Sequence, residues 1–327
     1  MSQTRLLLTE KESGGYDMVK KQAGALAPFN KRIRKYWPLL LMMFPAIVLL
    51  IIFCYVPMSG ILMAFEDYKI KFGLFGSEFV GLKHFRELFA SRQFWQVIGN
   101  TLYISVLKLV LGFFPPILFA LLLKEIRIPW FRKLTQTFSY LPYFISWIIM
   151  AGIIREMFST NGAFNQIIGL FGVQPQVWLS IKETFVPILV GTDIWKNFGW
   201  NSIIYFSALS AIDPVLYEAA SLDGASRLKM ATRITLPCLI PTITIQLILS
   251  MSGVMNAGFD QVFNLSNSAV TSVANIIDTY VYTLGIQQLN YSVSTAVGLF
   301  KSVIALLLMI STNWIAKKIN GEEFTLW

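Results

Sequence analysis

The chain has 327 residues, of which 55% are hydrophobic and only 14% charged, with a net charge of +9 and a mean hydropathy of +0.59. A soluble domain averages about 25% charged residues, so this chain cannot cover a globular surface with charge, and an integral membrane protein is the natural class. The single histidine, His84, and the two cysteines, Cys54 and Cys238, argue against a catalytic triad, a metal centre or a disulfide framework.

Residues 1–36 are polar and basic and lack a short apolar core with a small-residue cleavage site, so they read as a retained cytoplasmic tail. Six apolar runs follow, at about 37–65, 95–123, 134–158, 185–211, 236–257 and 293–316. Each is long enough for a spanning helix of about 20 residues and far too long for a barrel strand. The expected fold class is therefore an all-α integral membrane protein, with a six-span domain at 37–316 and a short cytoplasmic tail at 317–327. Pro45, Pro57, Pro115, Pro116 and Pro187 lie in or beside these runs and predict kinks. Trp37, Trp95, Trp147, Trp195, Trp200 and Trp314 lie mostly near run ends, as an interfacial belt requires. Cys54 and Cys238 read as small buried hydrophobes.

Ionisable residues inside a span are costly and face a cavity or a partner. Lys108, Arg155, Glu156, Asp193, Lys196 and Lys301 are of this kind. Asp193 and Lys196 share one face of the fourth run with Asn197 and Trp200, which reads either as a local ion pair or as the lining of a substrate path. Gln246, Ser250, Gly253 and Asn256 recur at three-to-four spacing in the fifth run, and Ser294, Gly298 and Lys301 do so in the sixth. Such stripes suit either a path or helix packing. The segment 258–292 is rich in Asn, Ser, Thr and Tyr and reads either as a passive outer loop or as a docking or gating surface.

With the N-terminus inside, the inner segments hold 17 Lys and Arg and the outer ones six. That bias places both termini, and the loop 213–237, in the cytoplasm. In that loop Asp213 is a helix cap, Pro214 is tolerated at the first helical position, and Gly224 suits a left-handed residue just past the end. A helix of about ten residues over 214–223 is too short to span and marginal alone in water, so it needs a partner surface. Ala219, Ala220 and Ala225 permit close approach, while Glu218, Arg227, Lys229 and Arg233 offer charge. A second helical piece over 225–234 is expected to lead into the fifth span at Leu236.

The pattern Glu218-Ala219-Ala220, three residues, Gly224, nine residues, Ile234, one residue, Leu236-Pro237 resembles the cytoplasmic signature loop of ABC-importer permeases. "LPYFISWIIMAGI", "WKNFGWNSIIYFSALSAIDPVLYEAA" and "STAVGLFKSVIALLL" are similar to the binding-protein-dependent sugar permeases of the oligosaccharide branch, and the resemblance covers roughly 37–320. Ala231 and Thr232 depart from it, since many members carry aromatics there. The resemblance implies a type I ABC importer permease fold in the bacterial cytoplasmic membrane. It assigns ATPase coupling to the loop, including Tyr217 and Asp223 beside the residues of the pattern. It also implies a second, similar permease chain, an ABC ATPase dimer, an extracytoplasmic solute-binding protein and an oligosaccharide substrate. No Gly-x-x-x-x-Gly-Lys-Ser/Thr stretch occurs, so ATP and Mg are expected on the separate ATPase, with no cofactor, metal or nucleic acid on this chain. The positive excess within spans suits an acidic, uronate-type substrate. The alternatives are an ion-gradient-driven carrier, with Asp193, Lys196 or Lys301 as the coupling site, and a membrane-embedded enzyme.

Overall fold

The computed structural model describes residues 29–320; most of the expected tails at 1–36 and 317–327 lies outside the described residues. The chain forms two compact units, residues 1–60 and 61–327. The first holds helix α1 (Phe29–Leu50), a wide turn at Ile51–Tyr55 and the opening residues of a tighter helical run, Val56–Phe65, whose last five residues belong to the second. Pro57, which has no N–H to give, sits at that change of pitch. The helical path starts at Phe29, so the last residues assigned to the tail belong to the helix. Cys54 is exposed on it, as Cys238 is on its own helix, so neither is the buried hydrophobe expected.

In the second unit, a two-residue antiparallel pair, β1 (Glu66–Asp67) with β2 (Glu78–Phe79), is the sheet structure among the described residues. His84 is buried beside it, its Nε2 3.1 Å from the Glu66 carbonyl. Helices follow in order: α2 (Lys83–Ala90), α3 (Arg92–Glu125), α4 (Pro129–Phe144), α5 (Trp147–Met157), α6 (Ala163–Gly169), α7 (Lys182–Ser210), α8 (Pro214–Leu222), α9 (Arg227–Ser252), α10 (Phe259–Leu265), α11 (Ile277–Tyr282) and α12 (Tyr291–Asn320). The longest packing interface joins α3 to α7, with α4 also on α7 and α9 on α12. Along α3, Leu111, Phe114, Leu118 and Leu122 recur every three to four residues and are all exposed. A continuous apolar stripe left outside the core marks a lipid or partner face.

Two expectations about the spans need correction. The third run is not one helix: α4 and α5 meet at 101°. The break is sealed on both sides. Ser146 caps α5, its hydroxyl accepting the Ile149 N–H. Lys196 on α7 donates its ammonium to the carbonyls of Pro142 (3.0 Å), Tyr143 (2.7 Å) and Ile145 (2.5 Å). A helix end in hydrocarbon must have its orphan carbonyls satisfied, and a cation there also opposes the helix dipole. The helical piece expected over 225–234 and the fifth span are one helix from Arg227, because a wide turn at Ala231–Thr235 carries it through without a break.

The core follows the 258–292 segment. Gln261, Val262, Leu265, Val270, Ala274 and Ile276 are each at most 1% exposed. They pack with Ile104 of α3, Met150 and Ile154 of α5, and Phe185 and Leu189 of α7. Thr101 Oγ1 accepts the Ile277 N–H at 2.8 Å, and Asn100 donates to the carbonyls of Ser272 and Asn275 at 3.0 Å. Much of the segment is thus packed rather than a passive loop: Gln261 and Asn267 donate to the carbonyls of Leu189 and Leu179, and its buried apolar side chains fill the core.

Candidate functional site

The loop 213–237 folds as its sequence dictates. Asp213 accepts the Val215 N–H at 2.9 Å and Pro214 opens α8, a cap that stabilises by about 1 kcal/mol. Asp223 closes the helix, and Gly224 follows at φ +73°, a left-handed position that only glycine adopts without penalty. The Ala225 N–H then reaches the Ala220 carbonyl at 2.9 Å, completing the glycine stop. α8 turns 70° away from α7.

No residue of α8 is buried. Glu218 and Ala219 are fully presented, Ala220 partly so. Leu222 is 90% exposed and Leu228 75%, and Val215 and Leu216 are also exposed. The stub is moored from behind. Tyr217 shares a hydrogen bond with Thr235 at 3.0 Å, and the Lys124 ammonium sits 3.6 Å over the Tyr217 ring. Arg227 pairs with Glu125 at 3.2 Å. Ile234 and Leu236 are half-buried and Pro237 exposed, with Leu236 packed on the cluster of Ile117, Tyr205 and Leu239. The stub is thus tied to the ends of α3 and α9.

Six of the nine path candidates come together. Asp193, Asn197, Gln246, Ser250, Gly253 and Asn256 line one cavity of about 380 Å³ between α3, α7 and α9. Lys108 on α3 reaches across its wall. Its ammonium donates to Asp193 Oδ1 (3.3 Å), the Ala257 carbonyl (2.8 Å) and Gln261 Oε1 (2.5 Å). Gln261 in turn donates to the Leu189 carbonyl (2.7 Å) and Thr192 Oγ1 (3.0 Å). The one cation among the residues lining this cavity is therefore held by groups from two separate segments, α7 and 257–261.

The other three candidates lie elsewhere. Lys196 is 6% exposed and spent on the α4 carbonyls, so it neither pairs with Asp193 nor lines the cavity. Trp200 stacks flat on Tyr143, 4.5 Å between ring centroids, and belongs to that same junction. Lys301 lines a second cavity of about 470 Å³ and pairs there with Asp278. Asn256 borders both cavities. On α7 the cavity is lined by Asp193, Asn197 and Asn201 at i, i+4, i+8, so of the expected face Asp193, Lys196, Asn197 and Trp200 only Asp193 and Asn197 reach it. On α3 the stripe Ser105, Lys108, Gly112 has the same spacing as those read on the fifth and sixth runs, and that periodicity was the signal available for it.

A helical chain with four helices long and apolar enough to cross a membrane, or six counting each bent pair, enclosing a polar cavity and presenting a capped stub, is a multi-pass membrane permease. Residues 117–321 match the family described as binding-protein-dependent transport system inner membrane component, and the chain belongs to it. Over 286 residues it is 44% identical to the polygalacturonan/rhamnogalacturonan transport system permease protein YteP of Bacillus subtilis, covering 87% of this chain and 89% of that one. Protein LplB of the same organism is 41% identical, covering 88% and 91%. A solved bacterial ABC transporter involved in import of the acidic polysaccharide alginate superposes with a TM-score of 0.83 at 38% identity, covering 90% of this chain and all of that chain. The chain has the type I ABC importer permease fold and is a transport subunit of the carbohydrate-importing kind, not an enzyme. The ion-driven carrier and the membrane enzyme are thereby set aside.

Proposed function

We propose that this permease carries an acidic, uronate-containing oligosaccharide across a bacterial cytoplasmic membrane, with both termini inside. The cavity between α3, α7 and α9 is its path, walled by the amides of Asn197, Asn201 and Gln246 and the hydroxyl of Ser250. Such groups match sugar hydroxyls. The observation that carries the reading is the Lys108 ammonium, paired with Asp193, at that polar wall, since ionisable residues within spans mark substrate pathways. The substrates named for YteP, polygalacturonan and rhamnogalacturonan, and for the solved importer, the acidic polysaccharide alginate, support the same reading.

The exposed face of α8, with Glu218, Ala219 and Leu222, docks on a separate ATPase that holds ATP and Mg. A related solved transporter is in complex with an alginate pentasaccharide-bound periplasmic protein; here too a solute-binding protein hands over the sugar. Each chain offers one stub, so an ATPase dimer requires two permease chains, the second similar but distinct. The test is uptake of labelled galacturonate oligomers by cells with and without this gene. Uptake lost with the gene and regained on its return supports the proposal; equal uptake in both overturns it.

A further inference from the structure

The two cavities repeat one chemical device. Each contains one lysine and one aspartate among its lining residues and no other charged group: Lys108 with Asp193 in the first, Lys301 with Asp278 in the second. In each, the ammonium bonds the carboxylate directly. In neither is the pair sealed in the core. Side-chain exposure is 11% and 23% for Lys108 and Asp193, and 22% and 21% for Lys301 and Asp278. The pairs come from different elements, α3 with α7 and α12 with α11, so the repetition is not a local sequence effect.

Ionisable residues within spans are costly, pair with one another and mark substrate or ion pathways. These two pairs border the cavities, and Asn256 borders both, so the cavities are neighbours along one route. The second cavity adds Phe259, Tyr282 and Tyr291 as aromatic faces for sugar rings. Lysine is a compact charge on a flexible stem, able to turn between partners. Asp278 gives only one carboxylate oxygen to Lys301; the other is buried with no protein partner among the described residues.

We propose that Asp193 and Asp278 are built-in stand-ins for substrate carboxylates, and that Lys108 and Lys301 are two successive uronate-reading subsites. At rest each aspartate neutralises its lysine. A uronate carboxylate entering the cavity takes over the ammonium, and the released aspartate faces the open cavity, where water solvates it. A neutral sugar has nothing with which to displace the aspartate, so the device selects for acidic chains. This rests on the acidic-oligosaccharide reading and adds to it the residues that enforce the selection.

The test measures binding of trigalacturonate, and of its carboxyl-reduced neutral counterpart, to the purified transporter assembled in nanodiscs with its partner chains. Removing an internal competitor raises the population of binding-competent lysine. Asp193→Asn and Asp278→Asn should therefore each tighten trigalacturonate binding by about tenfold and leave the neutral trisaccharide unchanged. Lys108→Met and Lys301→Met should weaken trigalacturonate by about tenfold, again selectively. Asparagine keeps the shape and an acceptor, and assembly is scored by gel filtration; should Asp193→Asn fail to assemble, Asp278→Asn decides alone. Trigalacturonate affinity unchanged or weakened in an assembled Asp→Asn transporter overturns the proposal. That outcome beside normal galacturonate uptake by the wild type sinks the stand-in device alone, whereas a wild type that takes up no galacturonate oligomer sinks the acidic-substrate reading itself.

Discussion

The segments 258–292 and 213–237 are both loops between spans, and they use their residues in opposite ways. The first is rich in Asn, Ser and Thr, yet it holds some of the best-buried residues of the chain, Gln261 and Val262 among them. The second carries Leu216, Leu222 and Leu228, yet leaves all three exposed. Polarity of the loop therefore does not predict its burial. In the first, polar side chains satisfy a neighbour's backbone inside a packed core, as Asn100 and Thr101 do for it from α3. In the second, apolar side chains remain uncovered on a rigid, capped stub, as a surface awaiting a partner requires.

The sharpest way to break this comparison is to change the stub. Glu218→Lys or Gly224→Asp should abolish ATP-driven uptake while leaving membrane insertion and protein level intact, as read by uptake and by immunoblot of membranes. A β-carbon at φ +73° costs only about 1–2 kcal/mol, too little to unfold the chain but enough to misdirect the helix end. Normal uptake by both variants would detach the stub from coupling.

Next in size is Lys196→Met, which strips three carbonyls of α4 of their donor. Charged hydrogen bonds of this kind are worth about 1.5–3 kcal/mol, so the solubilised protein should lose several degrees in a thermal aggregation assay. A variant with unchanged thermal stability would contradict the sealing role. Gln261→Leu should cost about 2 kcal/mol, since it leaves the Leu189 carbonyl and Lys108 short of a partner inside the packed segment. Faster amide exchange across 258–265 is the readout. The smallest effect belongs to the stub's mooring pair. Arg227→Gln removes an ion pair whose side chains are 54% and 49% exposed, so stability should change by less than about 0.5 kcal/mol. A larger loss would mean that Arg227 bears load beyond its charge.

Much of the fold was legible because the bilayer constrains it so strongly. Length and apolarity of the six runs are enough to place spans, and the Asp213-Pro214 start and Gly224 stop are local chemistry that the structure reproduces within a residue. The cavity lining was legible in part. The α9 stripe of Gln246, Ser250, Gly253 and Asn256 reaches the cavity because a single helix face is a matter of periodicity. On α7 the expected face of Asp193, Lys196, Asn197 and Trp200 is split: Asp193 and Asn197 line the cavity with Asn201, while Lys196 and Trp200 turn to the α4 junction, and spacing alone cannot choose between neighbouring stripes.

Composition and order along the chain thus determined the class, the spans, the capped stub and the family to which the chain belongs, because each depends on residues near one another in sequence or on the bilayer's uniform demand for apolar surface. Tertiary structure alone decided which charge meets which. Lys196 finds the α4 carbonyls more than 50 residues away, Lys108 finds Asp193 and Gln261, and Lys301 finds Asp278. A buried cation takes whatever acceptors the packing brings within about 3 Å, and no rule of spacing along the chain encodes that meeting.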